Sequence, residues 1–318
     1  MCRLPSPREN FLVAVNHNPP YWIPCPMFDG SVDVVTHGIV ERRTNGTDDW
    51  GVGWVLKDPK SDSFPVYHPI RDPSQVEDYP LPSPESPDLM KSAKQKASKV
   101  DRHKVILAGD NGWGLFERVW LLVGMHRLFR WSFTCPDAVE ALIRRIAEIK
   151  VRITERYIEE VGIDMILYGD DWGMEDRLLF SPNWWRRFIK PWQAELYRVA
   201  KKHGVLVYQH SDGKVEELIP DLIEIGVDIL NIQRECNDWN RIKQEYGDKI
   251  TLWGGVSART LDIGNPDDVR HEVEECIDLG KNGGLILAPG HALKYPKDNI
   301  EAMHKTWLEK GWFVRKGC

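Results

Sequence analysis

The sequence has few cysteines, and none of them is paired at a metal-binding or redox spacing. Six cysteines are scattered over 318 residues, and no CxxC pair occurs among them. A disulfide-stabilised secreted domain is much richer in cysteine, so we interpret these six as reduced thiols. The scarcity of cysteine therefore predicts a protein of the reducing cytoplasm.

The sequence also lacks long apolar runs and any concentration of positive charge. A membrane span needs about 18 consecutive apolar residues, and no apolar run in the sequence approaches that length. The first residues lack the apolar core of a signal peptide. The net charge is -6, with acidic and basic residues mixed along the chain. Because no basic stripe is present to neutralise a phosphate backbone, we expect a soluble protein that binds neither membranes nor nucleic acid.

Glycine-rich nucleotide-binding turns are missing as well. Neither GxGxxG nor GxxxxGK[ST] occurs, which argues against an open nucleotide-binding sheet. From residue 104 onward, short apolar runs alternate with amphipathic helical stretches, as in parallel strands joined by helices. We therefore predict one α/β domain over residues 1–318, a (β/α)₈ TIM barrel with strands near 105–108, 165–168, 205–209, 229–232, 250–253 and 285–288.

The beginning of the chain departs from this alternation. The spacing of apolar residues predicts a helix over residues 8–17 outside the barrel, followed by a proline-interrupted first strand over 22–28. Residues 40–104 are polar and rich in proline, so we predict a long loop excursion after strand 1, with a helix near 87–99. A total of eight strands then requires one more strand near 119–134.

Polar side chains at the carboxyl ends of the predicted strands are the candidates for catalysis, because the active sites of such barrels lie there. His210 and Asp212 follow the strand at 205–209, and residues two apart on a strand face the same side. The two side chains can share a metal ion or form an oriented acid/base pair. The structural alternative is that Asp212 caps the next helix while His210 is hydrogen-bonded inside the barrel.

Two further strand ends carry ionisable residues. Asp170 and Asp171 follow the strand at 165–168, and adjacent residues on a strand point in opposite directions. We therefore expect only one of them to line the barrel mouth, and we favour Asp170 as the catalytic carboxylate with Asp171 second. His291 follows the last strand, which places it at the same rim of the barrel.

Aromatic and small polar residues near these strand ends are candidate walls of a substrate pocket. The chain contains 14 tryptophans, which fits either simple burial in the core or an aromatic-lined pocket. The glycines within 109–114 and 253–255 allow the backbone to approach a ligand closely. The candidate substrate-binding residues are Asp29, Asn111, Trp113, Trp172 and Trp253.

The order of these strand ends resembles that of the uroporphyrinogen decarboxylase superfamily. The most specific part is the run His-Ser-Asp-Gly at 210–213. The resemblance covers nearly the whole chain and rests on colinear segments at 8–11, 21–24, 169–173, 181–182, 188–191, 218–228, 252–255 and 283–288. The superfamily contains the decarboxylase itself and many methyltransferases that pass methyl groups to or from corrinoid proteins or coenzyme M.

The segment after the first predicted strand separates these two branches. The decarboxylase holds the acetate groups of its tetrapyrrole with an arginine-rich segment at this place, whereas residues 24–30 here contain no arginine. A substrate with several carboxylates would therefore lack its main cationic partners. The resemblance accordingly favours the methyltransferase branch over porphyrin decarboxylation.

The resemblance also implies a metal. Methyltransferases of this superfamily typically bind zinc through a His-x-Cys pair and a later cysteine. Here His210 matches the histidine, Asp212 replaces the first cysteine, and His291 lies near the expected distal ligand. A His, Asp, His set is a harder zinc site, which suits an oxygen-linked methyl group better than thiol activation. A metal-free site with His210 and Asp212 as base and acid stays open.

These implications define an expected function with alternatives. We expect a methyltransferase that moves a methyl group from a small methoxylated aromatic substrate to the cobalt of a separate corrinoid protein. The chain lacks the Asp-x-His-x-x-Gly cobalamin signature, so the corrinoid would be carried by a partner docking near the 40–104 excursion. A homodimer is common among such barrels. The alternatives are a decarboxylase or lyase of a small acid, using Asp170 and His210, and a non-catalytic binding barrel.

Overall fold

The computed structural model describes residues 3–59, 62–291 and 293–313. Its strands are β1 Val32–Thr36, β2 Gly46–Thr47, β3 Gly53–Val55, β4 Phe64–Tyr67, β5 Ile106–Trp113, β6 Met165–Gly169, β7 Leu206–Ser211, β8 Ile229–Ile232, β9 Thr251–Val256 and β10 Leu285–Pro289. Seven of them form one parallel sheet in the order β1-β5-β6-β7-β8-β9-β10, and three form a separate antiparallel sheet in the order β2-β3-β4.

Helices connect the strands of the parallel sheet, as expected for right-handed crossovers. Short 3₁₀ or π turns at Pro73–Gln75, Tyr157–Val161 and Glu216–Leu218 supplement them. The α-helices are α1 Pro7–Val15, α2 Pro26–Asp29, α3 Lys91–Ala97, α4 Leu115–Val123, α5 Met125–Thr134, α6 Pro136–Arg156, α7 Pro182–Phe188, α8 Lys190–Lys202, α9 Ile219–Ile225, α10 Trp239–Tyr246, α11 Ala258–Ile263, α12 Pro266–Gly280 and α13 Lys297–Lys310.

The parallel sheet curls around a small apolar core of its own. Alternate residues of the strands face inward, because successive side chains of a strand point to opposite sides. The predicted α/β barrel-like architecture is thereby confirmed. The inward-facing apolar residues are Val32, Val34, Ile106, Ala108, Met165, Leu167, Leu206, Tyr208, Ile229, Trp253 and Ile286.

Helix α1 covers the amino-terminal end of this core. Ser6 begins the helix with a capping box, since its hydroxyl accepts from the Glu9 amide and the Glu9 carboxylate accepts from the Ser6 amide. Phe11 packs into the barrel core with its ring 5.9 Å from that of Trp253. Arg8 forms a 2.7 Å ion pair with Asp164, just before β6. With one end occupied by α1, the opposite, carboxyl-terminal end is the one open to a ligand.

Two of the predicted strands are wrong. Residues 22–28 contain only an isolated bridge at Trp22 and helix α2, which begins at Pro26 because proline suits the first turn of a helix. The extended part before α2 contacts β10 through one backbone hydrogen bond, from Leu287 N to Pro24 O at 2.8 Å. The strand that pairs with β5 is instead Val32–Thr36.

The second error concerns residues 119–134, which form parts of α4 and α5. The run Leu115–Val123 is apolar nearly all round because the helix is buried, and such a run cannot be distinguished from a buried strand by periodicity alone. The parallel sheet therefore has seven assigned strands among the described residues rather than eight.

The excursion between β1 and β5 is folded, and it packs on the barrel through buried charges. Arg118 of α4 and Lys150 of α6 are buried. Both form ion pairs with Glu41 of the excursion, at 3.4 Å from Arg118 and 3.5 Å from Lys150. Arg118 also lies 3.5 Å from Asp48 and stacks over the Trp50 ring, 4.6 Å from its centroid. No local sequence pattern predicts this network, since each of its contacts joins the excursion to a residue more than 60 positions further along the chain.

Other features of the described residues agree with the composition. The four cysteines that the structure describes, Cys25, Cys135, Cys236 and Cys276, are free thiols. None of the described helices combines the length and the apolar character that crossing a membrane demands.

Candidate functional site

A pocket of about 370 Å³ opens at the carboxyl-terminal end of the parallel sheet. Its position follows from the fold, because inward-facing residues at this end of the strands lie above the apolar core. The aromatic and polar part of its lining consists of Tyr208, His210, Asn231, Trp253, His291 and Tyr295. The pocket thus contains two of the predicted catalytic or metal-binding residues and one predicted wall residue.

His210 is held in one orientation by Asn231. Both residues face the barrel mouth at the ends of β7 and β8, where they pair in register. The Asn231 amide nitrogen donates to the Trp253 carbonyl at 2.7 Å, so the amide oxygen is the atom 2.6 Å from His210 Nδ1. Nδ1 must therefore donate, and in the neutral ring Nε2 keeps its lone pair.

That free nitrogen faces two carboxylates. His210 Nε2 lies 3.4 Å from Asp212 Oδ1 and 3.5 Å from Asp171 Oδ1. A lone pair directed at two anions is unfavourable, and a proton or a metal ion between them relieves the repulsion. A positive charge between His210 Nε2 and the two carboxylates would therefore stabilise this group of side chains.

His291, two residues after the end of β10, completes the group. Its Nε2 lies 3.7 Å from Asp212 Oδ2, and the rings of His210 and His291 are 6.1 Å apart. His210, Asp212 and His291 each offer one potential ligand atom, and these three atoms lie within 4.8 Å of one another. These three residues, predicted as ligands, could hold a metal ion.

Two buried atoms of this group have no hydrogen-bond partner, Asp212 Oδ1 and His291 Nδ1. Buried polar atoms are nearly always satisfied, so such atoms indicate a missing partner. Burial and the neighbouring charge of Asp171 raise the pKa of Asp212, while both histidines oppose this. The site therefore has an excess of negative charge that a cation would neutralise.

Of the two adjacent aspartates, Asp171 and not Asp170 lies beside His210. Asp171 Oδ1 accepts a 2.8 Å hydrogen bond from the Asp212 amide, which fixes the start of the loop after β7. Asp170 is fully buried, and its carboxylate accepts from the amides of Phe116 and Glu117 at 2.9 and 2.8 Å. Asp170 thus caps the amino terminus of α4 and does not reach the pocket.

The placement of Asp170 predicts a structural phenotype. Burial raises its pKa to about 6, although both amide donors favour the carboxylate. Asp170→Ala would leave two amides at the start of α4 without an acceptor, and we expect the free energy of unfolding to fall by about 3 kcal/mol in chemical denaturation. Asp171→Ala should cost less than about 1 kcal/mol. Loss of ligand binding at unchanged stability in Asp170→Ala would contradict this assignment.

Four of the five predicted substrate-binding residues lie away from the pocket. The Asp29 carboxylate accepts from the Trp22 indole and from the amides of Cys25 and Ser31, so it stabilises the turn around α2. Asn111 is buried and donates to the Lys150 carbonyl and the Thr154 hydroxyl of α6.

The two tryptophans among these four are packing residues. Trp113 packs on Trp54 of the excursion, with ring centroids 5.3 Å apart. Trp172 is fully buried against Trp185. Among the predicted walls only Trp253 lines the pocket, where its ring meets that of Tyr208 at 5.4 Å and 87°.

The sequence reasoning missed Asn231, Tyr208 and Tyr295. The signal for Asn231 was the alternation of β8: Ile229 faces inward, so the residue two positions later does too. Tyr208 has the same relation to His210 on β7. Tyr295 lies in the loop after β10 and donates to the His291 carbonyl at 2.7 Å, a contact that no periodicity predicts.

A curled parallel sheet with a pocket that contains two histidines at its carboxyl end places the chain among the barrel-like α/β enzymes. The chain belongs to the uroporphyrinogen decarboxylase (URO-D) family, whose profile matches residues 50–309.

Curated relatives include both branches of the family. A methylcobamide:CoM methyltransferase, MtaA, of Methanosarcina barkeri is 26% identical over 186 residues, which are 57% of this chain and 52% of that protein. A uroporphyrinogen decarboxylase of Salinibacter ruber is 24% identical over 184 residues, 55% of this chain and 50% of that protein. The chain thus spans about half the length of these two relatives.

A solved structure extends the likeness to the whole fold. A methyltransferase from Methanosarcina mazei superposes with a TM-score of 0.73, covering 96% of this chain and 99% of that one. The identity of 18% restricts this likeness to the fold.

Proposed function

We propose that the protein is a methyltransferase that takes a methyl group from a small methoxylated aromatic compound and passes it to the cobalt of a corrinoid protein. The observation that carries the proposal is the convergence of His210, Asp212 and His291 at the mouth of the pocket, where the buried ligand oxygen Asp212 Oδ1 has no hydrogen-bond partner. The likeness to the MtaA methyltransferase supports the same branch of the family.

The donor set fits zinc. Tetrahedral zinc with bonds of about 2.0–2.2 Å needs ligand atoms about 3.4 Å apart. His210 Nε2 lies 3.4 Å from Asp212 Oδ1 and His291 Nε2 lies 3.7 Å from Asp212 Oδ2. The three ligand atoms lie within 4.8 Å of one another, so a small movement of the side chains would bring them to the spacing that zinc needs. Zinc held there would supply Lewis-acid assistance to an oxygen leaving group. Two imidazoles and a carboxylate form a harder site than thiolates, which favours an ether over a thiol as the group activated.

The residues of the chain bind and orient the substrate. A volume of about 370 Å³ admits a single substituted ring, and Tyr208 and Trp253 provide two perpendicular aromatic surfaces for it. The ether oxygen would be directed at His210 and Asp212, where a proton or a metal ion held between these side chains would stabilise the oxygen as the methyl group leaves. A corrinoid carried by a partner protein would supply the acceptor for the methyl group.

The corrinoid must approach the open end of the barrel, because α1 fills the other end. We assign its docking to the rim of the pocket and to the excursion, which Glu41 anchors at the carboxyl end of β5 by accepting from the Trp113 amide at 2.6 Å. A partner protein is needed in this account to carry the cofactor.

Asn231 is assigned a positioning role, acting on the site through His210. In metal-free protein, ¹⁵N NMR of the His210 ring should show the Nδ1–H tautomer, since Asn231 presents an acceptor. Asn231→Leu should lose this preference and bind zinc about 10–100-fold more weakly. Asn231→Asp keeps an acceptor and should retain the tautomer. An Nε2–H tautomer in the unmodified protein would exclude this role.

The function is tested by anaerobic incubation of the purified protein with cob(I)alamin or a corrinoid protein and methoxylated aromatic compounds. Formation of methylcob(III)alamin, with release of the matching phenol, is the expected result. Release of carbon dioxide from a small aromatic acid without methyl transfer would support the decarboxylase alternative instead.

A further inference from the structure

The part of the pocket away from His210 and Asp212 carries no cation. None of the residues that line the pocket in the described part of the chain is a lysine or an arginine. The lining there is apolar and consists of Pro26, Met27, Ala288, Pro289 and Leu293. A substituent that points away from the site therefore meets no partner for a negative charge.

The polar end of the pocket does not attract anions either. Asp171 and Asp212 both lie within 3.5 Å of His210 Nε2, so two carboxylates surround this point. A divalent ion bound there would be balanced in charge by these two groups, leaving no net positive charge for a substrate anion.

Arg234 and Lys294 lie close to lining residues in the sequence but do not line the pocket themselves. Arg234 contacts the Gly255 carbonyl at the far side of β9 and forms an ion pair with Glu275. Lys294 follows a lining residue in the chain but is itself exposed and lies outside the lining. An aromatic carboxylate in the pocket would therefore lose part of its hydration at the apolar lining without gaining a charged partner, which is unfavourable.

We propose that the site selects an uncharged aromatic methyl ether and rejects analogues that carry a carboxylate on the ring. The choice of a methyl ether as substrate rests on the proposed function, whereas the selection against a negative charge rests on the lining of the pocket. The perpendicular rings of Tyr208 and Trp253 accept the flat ring in either case, so charge and not shape makes the distinction.

The test compares two ligands of nearly equal shape, para-methoxybenzamide and para-methoxybenzoate. Calorimetric titration of the zinc-loaded protein at neutral pH should show at least about tenfold tighter binding of the amide. The same preference is expected in kcat/KM for methyl transfer. Equal or tighter binding of the benzoate would overturn the inference, and so would an absence of amide binding.

A charge-adding variant makes the test specific to the pocket. Leu293 is 56% exposed at the pocket rim, so Leu293→Lys adds a cation there at little cost in packing. It should reduce or reverse the preference for the amide. Leu308→Lys is the matched control, because Leu308 is 50% exposed on α13 and does not line the pocket. An unchanged preference in Leu293→Lys would contradict the inference.

The outcomes separate this inference from the proposed function. Preferential binding of the amide without methyl transfer would leave the charge selection standing and refute the methyltransferase. Methyl transfer that proceeds equally well from the benzoate would refute the selection and leave the methyltransferase standing. Preferential binding and decarboxylation of benzoates would refute both.

Discussion

Asp212→Ala is expected to remove methyl transfer almost completely. Asp212 supplies the carboxylate that lies between His210 and His291, at 3.4 and 3.7 Å, and both histidines lose their shared partner without it. Residues that merely support metal ligands account for about 10–100-fold in activity, so loss of a ligand should lower the rate by about 10³-fold or more. The measurement is the rate of methylcob(III)alamin formation, together with the zinc content.

Two further variants show whether the effect comes from the ligand atom. Asp212→Cys creates the His-x-Cys pair that the family resemblance implies, and since a thiolate is a good zinc ligand this variant should retain zinc. Asp176→Ala removes an exposed carboxylate from the loop after β6 and should change neither zinc content nor rate. A fully active Asp212→Ala protein would rule out the proposed role of this residue.

Glu41→Ala is expected to have the largest effect on stability. Glu41 is the carboxylate that Arg118 and Lys150 share, and both cations are buried. Their charges outweigh the effect of burial and hold the pKa of Glu41 below its ordinary value. Removing one partner of a buried ion pair costs about 3–5 kcal/mol, and here Lys150 loses the carboxylate it pairs with while Arg118 keeps only Asp48. Urea denaturation followed by tryptophan fluorescence measures the loss.

Glu85→Ala is the matched control for Glu41→Ala. Glu85 also belongs to the excursion and pairs with an arginine of α6, Arg152, at 2.7 Å, but its side chain is 61% exposed. Exposed pairs contribute about 0–1 kcal/mol, so this variant should stay close to the unmodified protein. Equal losses in the two variants would show that burial is not what gives the Glu41 network its importance.

The strand-end rule located the centre of the candidate site from the sequence. The rule selects His210, Asp212 and His291 because each follows an apolar run. In the structure these three side chains lie together at the mouth of one pocket. This works because parallel strands joined by helices must end at the same edge of the sheet, whatever their exact register.

The choice between Asp170 and Asp171 depended on register, and the sequence alone left it open. In the structure Met165 and Leu167 face the barrel core, so the inward series continues through residues 169 and 171. Asp170 therefore faces outward and meets the amino terminus of α4. Knowledge of which residue of β6 faces inward would have reversed the preference.

The remaining errors arise from contacts between distant segments. Asn111 and Trp113 do lie on β5 at the predicted end of the barrel, but α6 and the excursion cover them. The partners are 39 or more residues away, and no local pattern marks them. The first strand was misplaced for a similar reason, since only its pairing with β5 identifies Val32–Thr36.

Elemental analysis of the purified protein, beside His210→Ala and Asp212→Ala, tests the central claim that this site holds a catalytic metal. The account predicts about one zinc per chain in the unmodified protein and its loss from both variants. The account would be contradicted if the purified protein contained no metal and took up none on incubation with zinc. That result would favour acid/base chemistry by His210 and Asp212 instead.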